Sequence, residues 1–437
     1  MNNLKSLLFS ILAVLAVSVF QSCDPCDGEV PTGCECQEGI VVCPDPCPTG
    51  YSTINGSCVS IDGNESIKTG LITSDVTWSA DTIHVLEGKV VVSDGVTLTI
   101  EAGTIIKGLA GEGSLASALI VARGATINAN GTATNPIVMT TILDNIQKGE
   151  AMGTNLDEAD NGKWGGLIVL GKAPISVDGD AVEARIEGIP ASETYGLYGG
   201  TSANDNSGSI TYISVRHGGA LIGEGNEING ITLGGVGNGT VINHIEVVAN
   251  SDDGVEFFGG TVNASNIVVW AQGDDAYDID QAYSGTIDNF VYIAGADSDH
   301  GMEIDGPEGT ADGQFTMTNG TMKGLSAEYA DFREGTQASI TDVYWFNFNS
   351  DFELDDAVTS ANYHTNNKLI LTGMEFNTTQ MVADIFKDTG GSMSDSTSFI
   401  MQMDTDNSIV TAASGTVGAD TSVFGWTYAT LKGALNF

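Results

Sequence analysis

Cysteine disappears from this chain after Cys58, and proline is scarce, at 9 of 437 residues. The long body beyond residue 60 therefore has no disulfide to hold it and must rely on packing alone. Basic residues are also few. Lys and Arg number 15 against 57 Asp and Glu, giving a formal net charge of −42. That balance excludes nucleic acid as a partner, because a phosphate backbone is held by a basic surface. It suits solubility, cation binding or a place at a cell surface. After residue 20 no apolar run is long enough to span a bilayer. Long amphipathic helical runs are few. There is no phosphate-binding loop and no nucleophilic serine with a nearby histidine signature. What is abundant is glycine, 56 residues, together with Asn, Thr, Asp, Val and Ile. This composition predicts many short strands joined by tight turns.

The stretch from Val241 to Asp356 repeats itself. The runs Gly254-Val-Glu-Phe-Phe258, Ala276-Tyr-Asp-Ile-Asp280, Gly301-Met-Glu-Ile-Asp305, Tyr329-Ala-Asp-Phe-Arg333 and Asp351-Phe-Glu-Leu-Asp355 each alternate apolar and polar residues. An earlier run, Gly230-Ile-Thr-Leu-Gly234, has the same form. Alternation of period two marks a half-buried strand. The central polar residues are Thr232, Glu256, Asp278, Glu303, Asp331 and Glu353, at steps of 22 to 28 residues. A strand recurring at that interval is one rung of a solenoid, since one rung cannot bury its own apolar face. The interval is too short for a strand, a helix and two loops, and suits three short strands with three turns. The fold predicted is all-β, a parallel β-helix. Val255/Phe257, Tyr277/Ile279, Met302/Ile304, Ala330/Phe332 and Phe352/Leu354 stack inward and the acids between them stack outward. Neighbouring strands lie about 4.8 Å apart. Two carboxylates at that spacing repel by about 1 kcal/mol in water and by about 3–4 kcal/mol at an effective dielectric near 20. Such a column needs a cation, a raised pKa or splayed side chains to relieve it.

The first 22 residues read as an export signal: Lys5 is their only charge, and Leu7 to Phe20 is apolar but short of a bilayer. Gln21-Ser22-Cys23 resembles a bacterial lipoprotein lipobox, with Cys23 as the lipidated residue. Ordinary signal-peptidase cleavage is the alternative. With Cys23 set aside, Cys26, Cys34, Cys36, Cys43, Cys47 and Cys58 remain, an even set of six that predicts three disulfides in an oxidising compartment. Zinc is the alternative use, though the cluster has no histidine. Cys47-Pro-Thr-Gly-Tyr51 through Gly56-Ser-Cys58 resembles an EGF-like knot. Asp24, Asp27 and Glu29 after the lipid site resemble the surface-export signal of Bacteroidetes lipoproteins. These resemblances imply an outer-membrane lipoprotein, at the periplasmic face or the cell surface. The domain layout expected is a signal at 1–22, a Cys-rich tether at 23–60, the β-helix at 61–375 and a C-terminal cap at 376–437. Within the cap, Met381 to Lys387 and Trp426 to Leu435 read as helical. Residues 187–208 read as a longer loop that walls a groove, with Pro190, Tyr195 and Tyr198 exposed.

The runs Thr73-Ser-Asp-Val-Thr-Trp78, Val91 to Gly108 and Gly162-Lys-Trp-Gly-Gly-Leu-Ile-Val-Leu-Gly171 resemble bacterial right-handed β-helix surface proteins, over roughly 65–437. The turns before the acidic strands carry a second resemblance. Asn250-Ser-Asp-Asp-Gly254, Gln272-Gly-Asp-Asp-Ala276, Asp297-Ser-Asp-His-Gly301 and Asp331-Phe-Arg-Glu334 resemble the successive site motifs of polygalacturonase-type glycoside hydrolases. That resemblance implies Asp252, Asp274, Asp275, His300 and Arg333 as catalytic residues. Chemically, such a site pairs a proton donor with a base that activates water, and inverting enzymes hold the two carboxyls roughly 6.5–9.5 Å apart. The family's lysine is missing here, because Glu334 and Gly335 follow Arg333. The outward ladder of Glu256, Asp278 and Glu303 would repel an anionic uronate, so a neutral or cationic substrate, or bound Ca²⁺, fits better.

The same acids suit calcium, which takes roughly six to eight oxygens. Asp252, Asp253, Asp274, Asp275, Asp297 and Asp299 offer them from adjacent turns, with Asp253, Asp297 and Asp299 as the metal set proper. Glu256, Asp278, Asp280, Glu303, Asp305, Glu353 and Asp355 form the expected binding face, interrupted by Arg333. The expected partners are a polysaccharide or a surface protein, with a glycan-cleaving enzyme and a structural or adhesive rod as the alternatives. A solvated acidic face with diffuse counterions is the bland alternative.

Overall fold

A computed structural model describes residues 65–190, 192–222, 227–389, 396–410 and 415–437, and the backbone of four short strands before them. Residues 1–60 form one compact unit and 61–437 another. In the first unit, Glu35–Gln37 pairs antiparallel with Ile40–Val42, and Tyr51–Ile54 with Ser57–Ser60. The expected signal, the lipid site Cys23, and Cys26, Cys34, Cys43 and Cys47 lie outside the described residues. Cys36 and Cys58 fall within these strands, but their side chains lie outside the description. Among the described residues no helix is long and apolar enough to cross a membrane.

The second unit is a parallel β-helix. Its 25 strands are joined by pairing, and those inside the stack pair in parallel with strands one coil before and one coil after them. Three faces result. The first is built from Ala118–Val121, Leu167–Leu170, Ile231–Gly234, Val255–Phe258, Tyr277–Asp280, His300–Asp305, Glu328–Arg333, Phe352–Leu354 and Phe386–Asp388, stacked in that order. The second and third faces share long, bent strands: Val241–Val248, Asn263–Trp270, Thr286–Ile293, Phe315–Lys323 and Ala338–Phe346.

Each bend costs one residue of register. Asn243 pairs with Ser265 and Ile245 with Ile267, so His244 and Asn266 are skipped. The skipped residues sit in the left-handed region: His244, Asn266, Asn289, Asn319 and Asp342 have φ between 54° and 59°. Asn and Asp enter that region at least cost among residues with a Cβ. Their amides then bond along the stack. Asn266 Nδ2 donates to Asn243 Oδ1 (2.9 Å), and Asn289 Nδ2 donates to Asn266 Oδ1 (2.6 Å).

The inward stack is as the alternation predicts. Val255, Phe257, Tyr277, Ile279, Met302, Ile304, Ala330, Phe332, Phe352 and Leu354 are at most 1 % exposed and belong to one core. Truncating one of the core phenylalanines to alanine costs about 3–5 kcal/mol.

The outward side of the first face changes character along the helix axis. Early rungs point Ala118, Ile120, Ile168 and Leu170 outward, and the segment between Leu170 and Gly208 folds over them with Ile175, Val177, Ile186, Ile189 and Tyr198. From Glu256 onward the outward residues are acids. Two expectations are corrected here. Tyr198 is buried, with its hydroxyl donating to Gln281 Oε1 (3.0 Å), because the covering segment needs apolar bulk against the early rungs. The solenoid also runs past 375. Glu375–Asn377, Phe386–Asp388 and Ser408–Val410 extend it, so the helix expected over Met381–Lys387 is one turn, Val382–Ile385, followed by a strand.

Phe399 and Met403 of Ser396–Asp406 join the core. The last segment instead runs back along the third face. Phe424, Tyr428 and Ala429 pack on Val248, Val268, Trp270 and Val291. Only Tyr428–Leu431 of the helix expected over Trp426–Leu435 is helical. Trp345 and Tyr292 are buried and Trp270 lies under Tyr428, so the aromatics serve packing.

Candidate acidic cleft

Parallel pairing without slippage puts like residues on like residues. Glu256 pairs with Asp278, Asp278 with Glu303, Glu303 with Asp331, and Asp331 with Glu353. Thr232 precedes this column and Lys387 ends it. A second column stands at the turn side. Asp253 Oδ1 accepts from the backbone N–H of Asp275 (2.9 Å), and Asp275 Oδ1 accepts from the N–H of His300 (2.9 Å) and from its Nδ1 (2.8 Å). His300 Nε2 lies 3.5 Å from Glu328 Oε2, and Ser350 donates to Glu328 Oε1 (2.9 Å). A third column holds Asp280, Asp305 and Arg333, of which Asp305 and Arg333 are in register. The sequence places these acids correctly because a period-two pattern fixes which face a side chain takes.

Burial and mutual repulsion act together on the carboxyls. Burial first, and Asp252 and Asp275 next, push Asp253 well above the carboxylate range. Burial, then Asp253 and Asp280, do the same to Glu256; burial, then Asp280 and Asp253, to Asp278. Asp252 is pushed to about 7 by burial and by Glu227 and Asp274. Asp280 rises to about 8 by burial and Asp305. Glu303 rises to about 8 by burial and Asp275, with Arg333 pulling the other way. Burial lowers His300, but its hydrogen bond to Asp275 and the charges of Asp275, Asp299 and Glu328 outweigh this and raise it to about 9.

Arg333 is the one arginine on this face among the described residues. It donates to Glu303 and, through Nε, to Asp305 (2.7 Å), and its Nη1 stands 3.7 Å from Asp331. Three carboxyls occupy it, so it neutralises the later rungs and leaves Asp253, Glu256 and Asp278 without a cation.

Three sets bring one ligand atom per residue within 4.8 Å of the others: Asp275/His300/Glu303, Asp252/Asp253/Asp274 and Asp253/Glu256/Asp278. The last two offer oxygen alone, which suits a hard cation such as Ca²⁺. Asp278 Oδ1 is buried and has no hydrogen-bond partner. Of the residues expected from the sequence, Asp252, Asp253, Asp274, Asp275, His300, Glu256, Asp278 and Glu303 come together. Asp297 and Asp299 do not join a set. Both are exposed, and Asp299 only approaches His300 Nδ1 at 4.0 Å; the Asp299 backbone is bonded to Asp274 and Glu328 on the neighbouring coils, but its side chain stays at the surface. Glu353 and Asp355 lie beyond Asp331, at the far end. The oxygens of Asp252 and Asp274 lie within 4.8 Å, closer than the roughly 6.5–9.5 Å at which inverting glycosidases hold their carboxyls.

Glu328, Glu187, Glu227 and Asn229 also belong to this region. Glu328 sits one rung from His300, at the position where the preceding motifs have Asp275 and Asp253, so the register of the repeat points to it. Asn229 stands one rung before Asp253 in the same column, whereas Glu187 and Glu227 lie outside the repeat and carry no such signal.

The sequence pattern of the pectate-lyase-like β-helix domain matches residues 70–429. No curated protein and no solved structure matches the chain. A match over that much of the chain, on a structure of stacked parallel coils, means that this protein belongs to the pectate-lyase-like β-helix domain family.

Proposed function

We propose that the chain is a surface lipoprotein whose open acidic face binds divalent cations, Ca²⁺ in particular, and through them the hydroxyls of a glycan. One observation carries this reading: Asp253, Glu256 and Asp278 crowd their oxygens within 4.8 Å, and Asp278 Oδ1 meets no donor. A cation relieves that repulsion and leaves coordination positions for sugar oxygens. The family name points to polysaccharide as the ligand class, while the charge of −42 disfavours an anionic polymer that lacks bridging cations. In this reading Cys23 carries the lipid and the six later cysteines stabilise the tether. The Cys23→Ser variant should leave the membrane fraction, and continued membrane association would refute the anchor.

The binding reading is tested by retention on immobilised neutral glycans with Ca²⁺ and with chelator. Ca²⁺-dependent retention that weakens tenfold or more in Asp278→Asn supports it, and retention indifferent to Ca²⁺ contradicts it. A second reading, hydrolysis, is favoured by Asp252, which holds a proton up to about pH 7 beside Asp274. It assigns Asp252 as the acid and Asp274 and Asp275, with His300, as the groups around the water. Reducing-end release that survives Asp275→Asn would sink that assignment.

A further inference from the structure

A groove runs along the edge of the covering segment, over the first coils of the solenoid. Its volume is about 610 Å³, inside the roughly 300–1,000 Å³ of sites that hold small molecules. None of the stacked acids of the later coils lines it. Register builds one wall. Val92 pairs with Val121, and Val121 with Val169, so the turns that follow these valines bring Asp94, Arg123 and Lys172 side by side. The covering segment builds the other wall with Glu183, Glu193, Tyr195 and Leu197. Arg123 Nη1 donates to Glu183 Oε1 (2.6 Å) and to the carbonyl of Gly199 (2.9 Å). Lys172 Nζ stands 3.8 Å from Asp94 Oδ1. Gly124 makes room for that second pair, because a Cβ there would strike both Asp94 Oδ1 and Lys172 Nζ. Each cation of the groove thus faces a carboxylate across the gap, which leaves no unbalanced charge to draw an anion. Donors remain: among the described residues Arg123 bonds through Nη1 alone, and Lys172 Nζ makes no hydrogen bond. The groove also offers apolar surface. Leu71 is 59 % exposed, and the half-buried ring of Tyr195 stands beside the charge of Glu193.

We propose that this groove binds a short neutral saccharide without any cation, its hydroxyls between the Arg123/Glu183 and Lys172/Asp94 pairs and its ring face on Tyr195. A sugar hydroxyl donates and accepts at once, so it bridges a guanidinium or ammonium to the neighbouring carboxylate without breaking the charge balance. The C–H face of a sugar ring is apolar and packs on an aromatic ring and on aliphatic surface such as Leu71 and Leu197. A guest here touches both walls and therefore fastens the covering segment to the first coils. The site stands on the groove and its paired charges, and does not depend on the Ca²⁺ reading of the acidic face.

The probes are soluble neutral disaccharides of glucose, galactose, mannose and xylose, titrated into the full chain in chelator and read by calorimetry. The proteins compared are wild type, Tyr195→Ala, Tyr195→Phe, Lys172→Gln and Asp278→Asn. The groove predicts saturable binding of at least one disaccharide by wild type. Affinity should fall about tenfold in Tyr195→Ala and in Lys172→Gln, and hold in Tyr195→Phe and Asp278→Asn. The matching uronic-acid disaccharides should bind more weakly, since Glu193 repels them. No binding of any neutral disaccharide, equal affinity in wild type and Lys172→Gln, or tighter binding of a uronic acid would each overturn the proposal. Lys172 reaches into solvent, with 45 % of its side chain exposed, so its variant decides the matter even where Tyr195→Ala loosens the covering segment and lowers the melting point. The titration contains no free cation, so its failure does not bear on Ca²⁺ binding at the acidic face.

Discussion

At the scale of the residue, what matters is which neighbour each carboxyl receives. Asp275 is the pivot, because one oxygen takes both the N–H and the ring N–H of His300. In Asp275→Asn, His300 should fall from about 9 toward its ordinary value of about 6.5, read by NMR titration of the ring. A value that stays near 9 would mean that Asp299 and Glu328 hold the imidazolium on their own. The outward acids were legible in the sequence because alternation fixes their face and the steps fix their rung. Glu187 and Glu227 were not legible. Their contribution depends on where a covering segment lands, and no local period encodes that.

At the scale of the element, the solenoid is held by inward stacks and left-handed corners, and the last segment by one buried network. Glu246 accepts from Ser214 Oγ (2.6 Å) and from the backbone N–H groups of Tyr428 (3.0 Å) and Ala429 (2.8 Å). Arg216, itself buried, donates to Ser214 and stacks over the Tyr428 ring at 4.6 Å. Glu246→Ala leaves that buried guanidinium with Asp144 as its remaining acidic neighbour and frees two N–H groups. The expected loss is about 3–5 kcal/mol, together with proteolytic release of the segment after residue 415, read by chemical denaturation and limited proteolysis. An unchanged midpoint and an uncut tail would contradict the anchoring role. The helices read from the sequence at Met381–Lys387 and Trp426–Leu435 miss the one at Ser396–Asp406 and do not say which surface each segment covers. Ser396–Asp406 carries Phe399 and Met403 onto the end of the core, while the Tyr428 turn lies along a flank. Periodicity reports that an apolar face exists and not which surface receives it.

At the scale of the whole molecule, part of the charge of −42 is stacked by register onto one face. Asp252, Asp280 and Glu303 have folded values of about 7, 8 and 8, above the ordinary carboxylate range near 4. Their contribution to stability is complete below that ordinary range and is lost as pH rises through the folded values. His300, at about 9, acts in the same direction, its contribution complete below about 6.5 and lost as pH rises through 9. The cation-free protein should therefore melt at a lower temperature at pH 9 than at pH 5. A flat or rising profile would place these acids in water, not in a crowded face. A bound cation does at high pH what protons do at low pH, so the most direct measurement is a calorimetric Ca²⁺ titration of the cation-free full chain at pH 8. Saturable binding of a few ions, with protons released as they bind, is the predicted result. Absence of saturable binding would contradict the account and leave the stacked carboxyls as acids that share protons.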